Sequence, residues 1–222
     1  MSEVPDLLSQ VPFEVIWSAL VDGSEDRVGI TSREGEILWV NEIAKKRHAQ
    51  RTGGDPIGKS VFEFVTPKVA QELRRAKERT IATGRPIVVE TTINGVRTHL
   101  TYRAFLRGQE HLFLVVARDM AQPLSDDSAH VGTQDFIKTD STDLGPLSKL
   151  TRKELEVLAL MGEHLSSQGI ADRLERSVKT IEWHRVSIGR KLKVKTRGEL
   201  AIIAQRAGLV KPPPNGTRPN DP

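Results

Sequence analysis

The chain of 222 residues contains no cysteine. That absence excludes disulfides, zinc thiolate sites, a cysteine nucleophile and flavin-thiol photochemistry. It also lacks any long apolar run: the longest, "LFLVVA" at 112–117, is too short to cross a bilayer. The amino terminus "MSEVPDLLSQ" is acidic and lacks the basic-then-apolar order of a secretion leader. These absences lead to the expectation of a cytoplasmic protein with no membrane partner. Missing as well are the acidic strand ends and repeated βα units of a phosphoacceptor receiver, so direct control by phosphorylation is not expected.

What is present is an ordinary soluble composition, 37% hydrophobic and 28% charged, with a net charge of +4. The charge is unevenly placed. Residues 1–147 carry 18 basic against 21 acidic side chains, whereas residues 148–211 carry 14 against 7. A small basic module behind a mildly acidic one points to a polyanion as partner of the second part only. The stretch 121–147, rich in Ser, Asp, Thr, Gly and Pro, reads as a linker, and "KPPPNGTRPNDP" as a disordered tail. The expected domains are an amino-terminal helical segment at 1–24, a sensor-sized domain at 25–120, the linker, a helical domain at 148–210 and a tail at 211–222.

In the first module an amphipathic helix is expected at "PFEVIWSAL", then strands "RVGITS" and "EILWVN" joined by the turn "REGE". Helical patterns follow near 41–50 and 67–83. The strands "PIVVETTI" and "VRTHLTYRAFL" are joined by Asn94-Gly95, a strong hairpin signal, and "HLFLVVARDM" closes a meander. The pattern describes an α+β domain, one antiparallel sheet with helices on one side. Within it "GGDPIGKS" (53–60) has the letters of a phosphate loop. That motif requires an apolar strand before it and a helix beginning at its Lys, whereas the preceding segment is polar and helical. A surface loop is the better reading, and a small nucleotide hydrolase using Gly58, Lys59 and Ser60 is the alternative.

The basic module reads as four short helices. Thr151 with Glu154 and Thr196 with Glu199 are capping boxes, Ser166 and Ser177 are N-caps, and Gly208 is a stop signal. In "SVKTIEWHRVSIGRKL" (177–192) Val178, Ile181, Ile188 and Leu192 share one face and are expected in the core. The opposite stripe holds Lys179, Glu182, Trp183, Val186 and Arg190. A short helix set by a turn after another short helix suits helix-turn-helix docking in the major groove. On that reading Glu182, Trp183 and Val186 meet base edges, Glu182 accepting from a cytosine amino group and the other two packing on thymine methyls. Lys179, Thr180, Arg185, Arg190, Lys191 and Lys193 hold phosphates.

Residues 150–200 resemble the LuxR/FixJ/NarL-type helix-turn-helix without a gap, through Thr151, Glu154, Ser166, Ile170, Ala171, Leu174, Ser177, Lys179, Thr180, His184, Arg185, Lys191, Leu192 and Val194, among others. The resemblance implies that the helix over about 178–192 is the recognition helix, that the last helix makes a dimer contact, and that positions 182, 183 and 186 contact bases. It departs at His164, Gly169, Glu175 and Arg176, where a left-handed non-glycine cap costs roughly 1–2 kcal/mol.

Residues 25–120 resemble a PAS domain, through the strand pair ending at Asn41, "IGKSVFEFV" before a long helix, and the closing hairpins. This resemblance implies a sensor or dimerisation module able to hold haem, flavin or a small metabolite. No ligand is assignable. His48, His99 and His111 lie off the long helix, and Trp39, Tyr102 and Phe105 suit ordinary core as well as a pocket.

Together these readings give a bacterial-type, sequence-specific DNA-binding transcriptional regulator, not an enzyme, with no metal. It is expected to act on double-stranded DNA as a homodimer, with RNA polymerase or a sensor kinase as the further partners this reading admits. The rival reading is a protein-interaction module with a degenerate helix-turn-helix in which Trp183 anchors a partner.

Overall fold

The computed structural model describes residues 12–18, 21, 24–120 and 135–210. The expected tail, most of the acidic amino terminus and residues 121–134 of the expected linker lie outside the described residues. Two compact units form. One is built on the described residues up to Val89 with His99–Arg118 and residues 135–137, the other on Glu90–Thr98, residues 119–120 and the described residues from Lys138 onward.

The first unit begins with α1 (Phe13–Trp17), followed by β1 (Arg27–Ser32), β2 (Ile37–Val40), α2 (Glu42–Thr52) and α3 (Pro67–Thr83). Strands β3 (Ile87–Ile93), β4 (Val96–Arg107) and β5 (Glu110–Asp119) complete the meander. The sheet order is β2-β1-β5-β4-β3-β6, where β6 is Asp135–Thr142. Strand β1 is antiparallel to both β2 and β5, with Val28 opposite Val116. Asn41 fixes the entry to α2: its Oδ1 accepts from Ala44 N and Val28 N, while its Nδ2 donates to the carbonyls of Val21 and Asp26. A buried amide with its hydrogen bonds met is stable where an unmet one is costly.

Helix α3 starts with Pro67 at its first turn, where no amide is needed. It buries Val69, Ala70, Leu73 and Ala76 on one face, the 3.6-residue stripe visible in the sequence. Lys77 shares that face and is only 1% exposed. Its ammonium donates to Thr31 Oγ1 (2.9 Å) and the Ser32 carbonyl (2.6 Å), and lies 4.6 Å from the Phe113 ring centre. No carboxylate hydrogen-bonds it among the described residues, so burial pushes its pKa down to about 8.

The segment 53–60 is a connection after a helix. Gly53 caps α2 in the left-handed region, Gly58 and Lys59 exchange backbone bonds with Ile37, and Ser60 caps only a short 3₁₀ turn, Val61–Phe64. The strand-loop-helix geometry of a phosphate loop is not there.

The expected linker needs a correction. Strand β6 lies inside it, beside β3: Asp135 N donates to the Pro86 carbonyl and Asp143 N to the Thr92 carbonyl, so the two strands run in the same direction. The Ser, Thr and Asp content that suggested a linker instead suits an edge strand, half exposed and charged. Asn94 and Gly95 both take positive φ, as a two-residue hairpin turn demands. Gly95 N donates to the Asp143 carbonyl, and a Cβ on Gly95 would lie 2.8 Å from the Leu144 carbonyl oxygen. A 3₁₀ turn, Gly145–Lys149, then leads into α4 (Arg152–Gly162), α5 (Ser167–Leu174), α6 (Val178–Leu192) and α7 (Arg197–Arg206). Leu147, Leu158, Met161, Ile170, Ile181 and Ile188 sit in their shared core. Arg97 of β4 donates to the Gly208 carbonyl just beyond α7.

Candidate nucleic-acid interface

The helices are set by the caps the sequence displays. Thr151 Oγ1 accepts from Glu154 N while Glu154 returns the bond to Thr151 N, and Thr196 with Glu199 does the same. Ser166 accepts from Gly169 N and Ser177 from Thr180 N. The turn between α5 and α6 closes at Glu175, in the left-handed region with φ 52°. His164, before α5, has φ 62°. Both places that glycine usually fills are therefore held in the glycine conformation by other residues.

Helix α6 divides as its periodicity requires. Ile181 and Ile188 are buried and Leu192 packs beside them. Val178, expected in the core, is instead exposed, at the first position of α6. On the opposite side Trp183 is 65% and Val186 62% exposed, with Lys179, Arg190 and Lys193 also exposed. The Trp183 ring stands edge-on to His184 at 5.2 Å. Two large apolar groups are thus left open to solvent on a helix whose other face is core.

Two of the expected contacts have partners within the protein. The Lys191 ammonium lies 2.6 Å from Glu154 Oε2 and is partly buried. Glu154 is 3% exposed and also accepts from Ser187 Oγ. Burial would raise its pKa, but the bonds from Lys191, the Thr151 amide and Ser187 outweigh this and hold it down to about 2. Lys191 is thus a strut between α4 and α6, as a buried carboxylate requires a cation. Thr180 Oγ1 is 2.8 Å from Ser177 Oγ, within the cap.

Glu182 and Arg185 are not independent either. Glu182 Oε2 accepts from Arg185 Nε at 2.7 Å and its Oε1 from Ser167 Oγ at 2.5 Å. These bonds, Ser167's first, hold the Glu182 carboxyl below the usual carboxylate range. Ser167 had no signal in the sequence beyond following the cap Ser166. Its role appears only when α5 and α6 are packed.

In the first unit two of the three histidines considered, His48 and His99, serve as ring partners. His48 stands edge-on to Phe64 at 4.7 Å, and His99 is buried against Phe136 at 6.3 Å. Tyr102 is buried edge-on to Phe113, whereas Phe105 is exposed. Among the described residues no group of three or more metal-binding side chains converges, and no helix is long and apolar enough to cross a membrane.

Comparison with known proteins agrees with both halves. Residues 148–204 match the model of bacterial regulatory proteins of the luxR family, and residues 21–123 match a PAS fold. The oxygen regulatory protein NreC of Staphylococcus epidermidis is 33% identical over 82 residues, covering 35% of this chain and 38% of NreC. The uncharacterized response regulatory protein YgeK of Escherichia coli is 35% identical over 83 residues, 37% of this chain and 54% of YgeK. The matched region is thus little more than a third to a half of these relatives' length. Among solved structures, the VqmA–ligand–DNA complex of Vibrio cholerae covers 90% of each chain at 20% identity with a TM-score of 0.42.

Proposed function

We propose that this chain, a luxR-family helix-turn-helix domain preceded by a PAS-fold domain, is a sequence-specific DNA-binding transcriptional regulator and not an enzyme. The observation that carries the reading is the outer face of α6, where Lys179, Trp183, Val186 and Arg190 stand exposed behind the α5–α6 turn. Cations there neutralise phosphates, and the apolar pair meets thymine methyls in the major groove. The PAS-fold domain acts as its sensory or dimerisation module. Exposed Ile202 on α7 supports pairing of two copies, which sets two recognition helices about one DNA turn apart on a symmetric site. The phosphate-loop letters support no hydrolase, because their Ser60 opens only a 3₁₀ turn.

Fluorescence anisotropy of the full chain with pooled genomic duplexes across a salt series tests the reading. Tight binding at low salt is expected, falling steeply as salt rises. Lys179→Ala and Arg190→Ala should each reduce the salt slope by about 1. A flat titration at low salt would sink the proposal.

A further inference from the structure

We infer that Arg185 reads a guanine in the operator and that Glu182 and Ser167 are positioning residues for it, not base-reading groups themselves. The inference rests on the DNA-binding function just proposed and assigns the specificity of that interface. Both carboxylate oxygens of Glu182 are engaged, Oε1 by the Ser167 hydroxyl from the start of α5 and Oε2 by Arg185 Nε. A half-exposed Glu–Arg pair three residues apart on one helix by itself stabilises a fold little. Here a third group from a second helix ties the pair down, which fixes the rotamer of the arginine.

The atoms left over define the ligand. With Nε turned to Glu182, the two terminal nitrogens of Arg185 have no partner among the described residues. They form a planar fork of parallel N–H donors. Such a fork matches two partners, a phosphate or the O6/N7 edge of guanine. Glu182 decides between them. A phosphate brought to Arg185 would approach a fixed carboxylate within the same pair and be repelled by it. The guanine edge is neutral, and its acceptors gain from a polarised guanidinium without that penalty. A residue meant only to hold backbone would be better left unpaired, as Lys179 and Arg190 are not joined to any carboxylate among the described ion pairs. The acidic residue on a DNA-facing helix therefore serves to aim a cation and to suppress indiscriminate binding.

The test is selection of binding sites from a randomised duplex library by full-length wild type, Arg185→Lys, Glu182→Gln and Ser167→Ala, each also titrated on one random duplex. In the wild type a guanine is expected at one position of each half-site. Arg185→Lys should lose on the order of tenfold in preference at that position, because an ammonium cannot form the fork. Glu182→Gln should lose preference at the same position while binding random duplex as tightly or more tightly. Ser167→Ala should show a smaller loss, again there. Uniform loss by Arg185→Lys on all sequences, with a lower salt slope, would make Arg185 a phosphate contact and overturn the inference. Loss of a cytosine preference at a different position in Glu182→Gln would overturn it too, by making Glu182 the reader. Absence of binding by the wild type to any duplex would remove the DNA-binding reading itself, an outcome distinct from both.

Discussion

Two buried charges in this chain have opposite consequences for its response to pH. Glu154 has its folded pKa lowered to about 2 from an ordinary value of 4.5. The unfolded chain therefore takes up protons first as pH falls, and the stability the group contributes above about pH 4.5 is lost on the way down to about pH 2. Glu154→Gln should cost about 3 kcal/mol at neutral pH by leaving Lys191 poorly paired, and should flatten the acid limb of urea unfolding curves. Lys77 behaves in the reverse sense. Its folded pKa of about 8 lies below the ordinary 10.5, so the unfolded state binds the extra proton between those values and stability rises with pH across that window. Lys77→Met should abolish that rise in thermal melts between about pH 8 and 10; an unchanged slope would refute the role given to burial. Glu175, at φ 52°, pays for a conformation glycine adopts freely, so Glu175→Gly should raise stability by about 1 kcal/mol, as read by the urea midpoint.

At the level of elements, the caps, the long helix α3 and the hairpin at Asn94-Gly95 were all legible, because each rests on short-range chemistry. A Thr three residues before a Glu, or two residues tolerant of positive φ between apolar alternations, carries its own instruction. The α6 stripe was legible for the same reason, since periodicity separates Ile181 and Ile188 from Trp183 and Val186. What could not be read was which cation on α6 turns inward and which outward. Lys191 and Arg190 are neighbours of like charge, and only the approach of α4 brings Glu154 to one of them. The same limit hid the Ser167–Glu182–Arg185 arrangement, which joins groups 15 residues apart. Strand β6 was missed because its alternation is weak and its composition is that of a connector, so its pairing depends on β3 offering an edge. A pair of variants separates the two cations: Lys191→Met should lower the thermal midpoint, whereas Arg190→Ala should leave it unchanged and weaken DNA binding. Equal effects on stability would mean that the strut contributes nothing.

For the whole molecule, residues that the sequence assigns to the PAS-fold domain form part of the second unit's structure. Glu90–Thr98 cluster with the helices, through Asp143 against the hairpin turn and through Arg97 on the Gly208 carbonyl. Arg97→Ala touches no residue of the α6 outer face, yet is expected to shift DNA affinity in the same anisotropy assay; unchanged affinity would show that the hairpin does not communicate with the helices. Strand β6 has a further consequence, for solubility. It occupies the flank of β3, whose "IVVETTI" sequence is rich in β-branched residues, and such a strand laid bare would template pairing with other chains. Its own "DFIKTDST" presents Lys138 and Asp140 outward and resists a further strand. A fragment ending at residue 134 is thus expected to form aggregates by light scattering, whereas one ending at residue 142 stays dispersed. Anyone isolating the amino-terminal domain should cut after the segment that looks like its tether, because that segment is the domain's protective selvage.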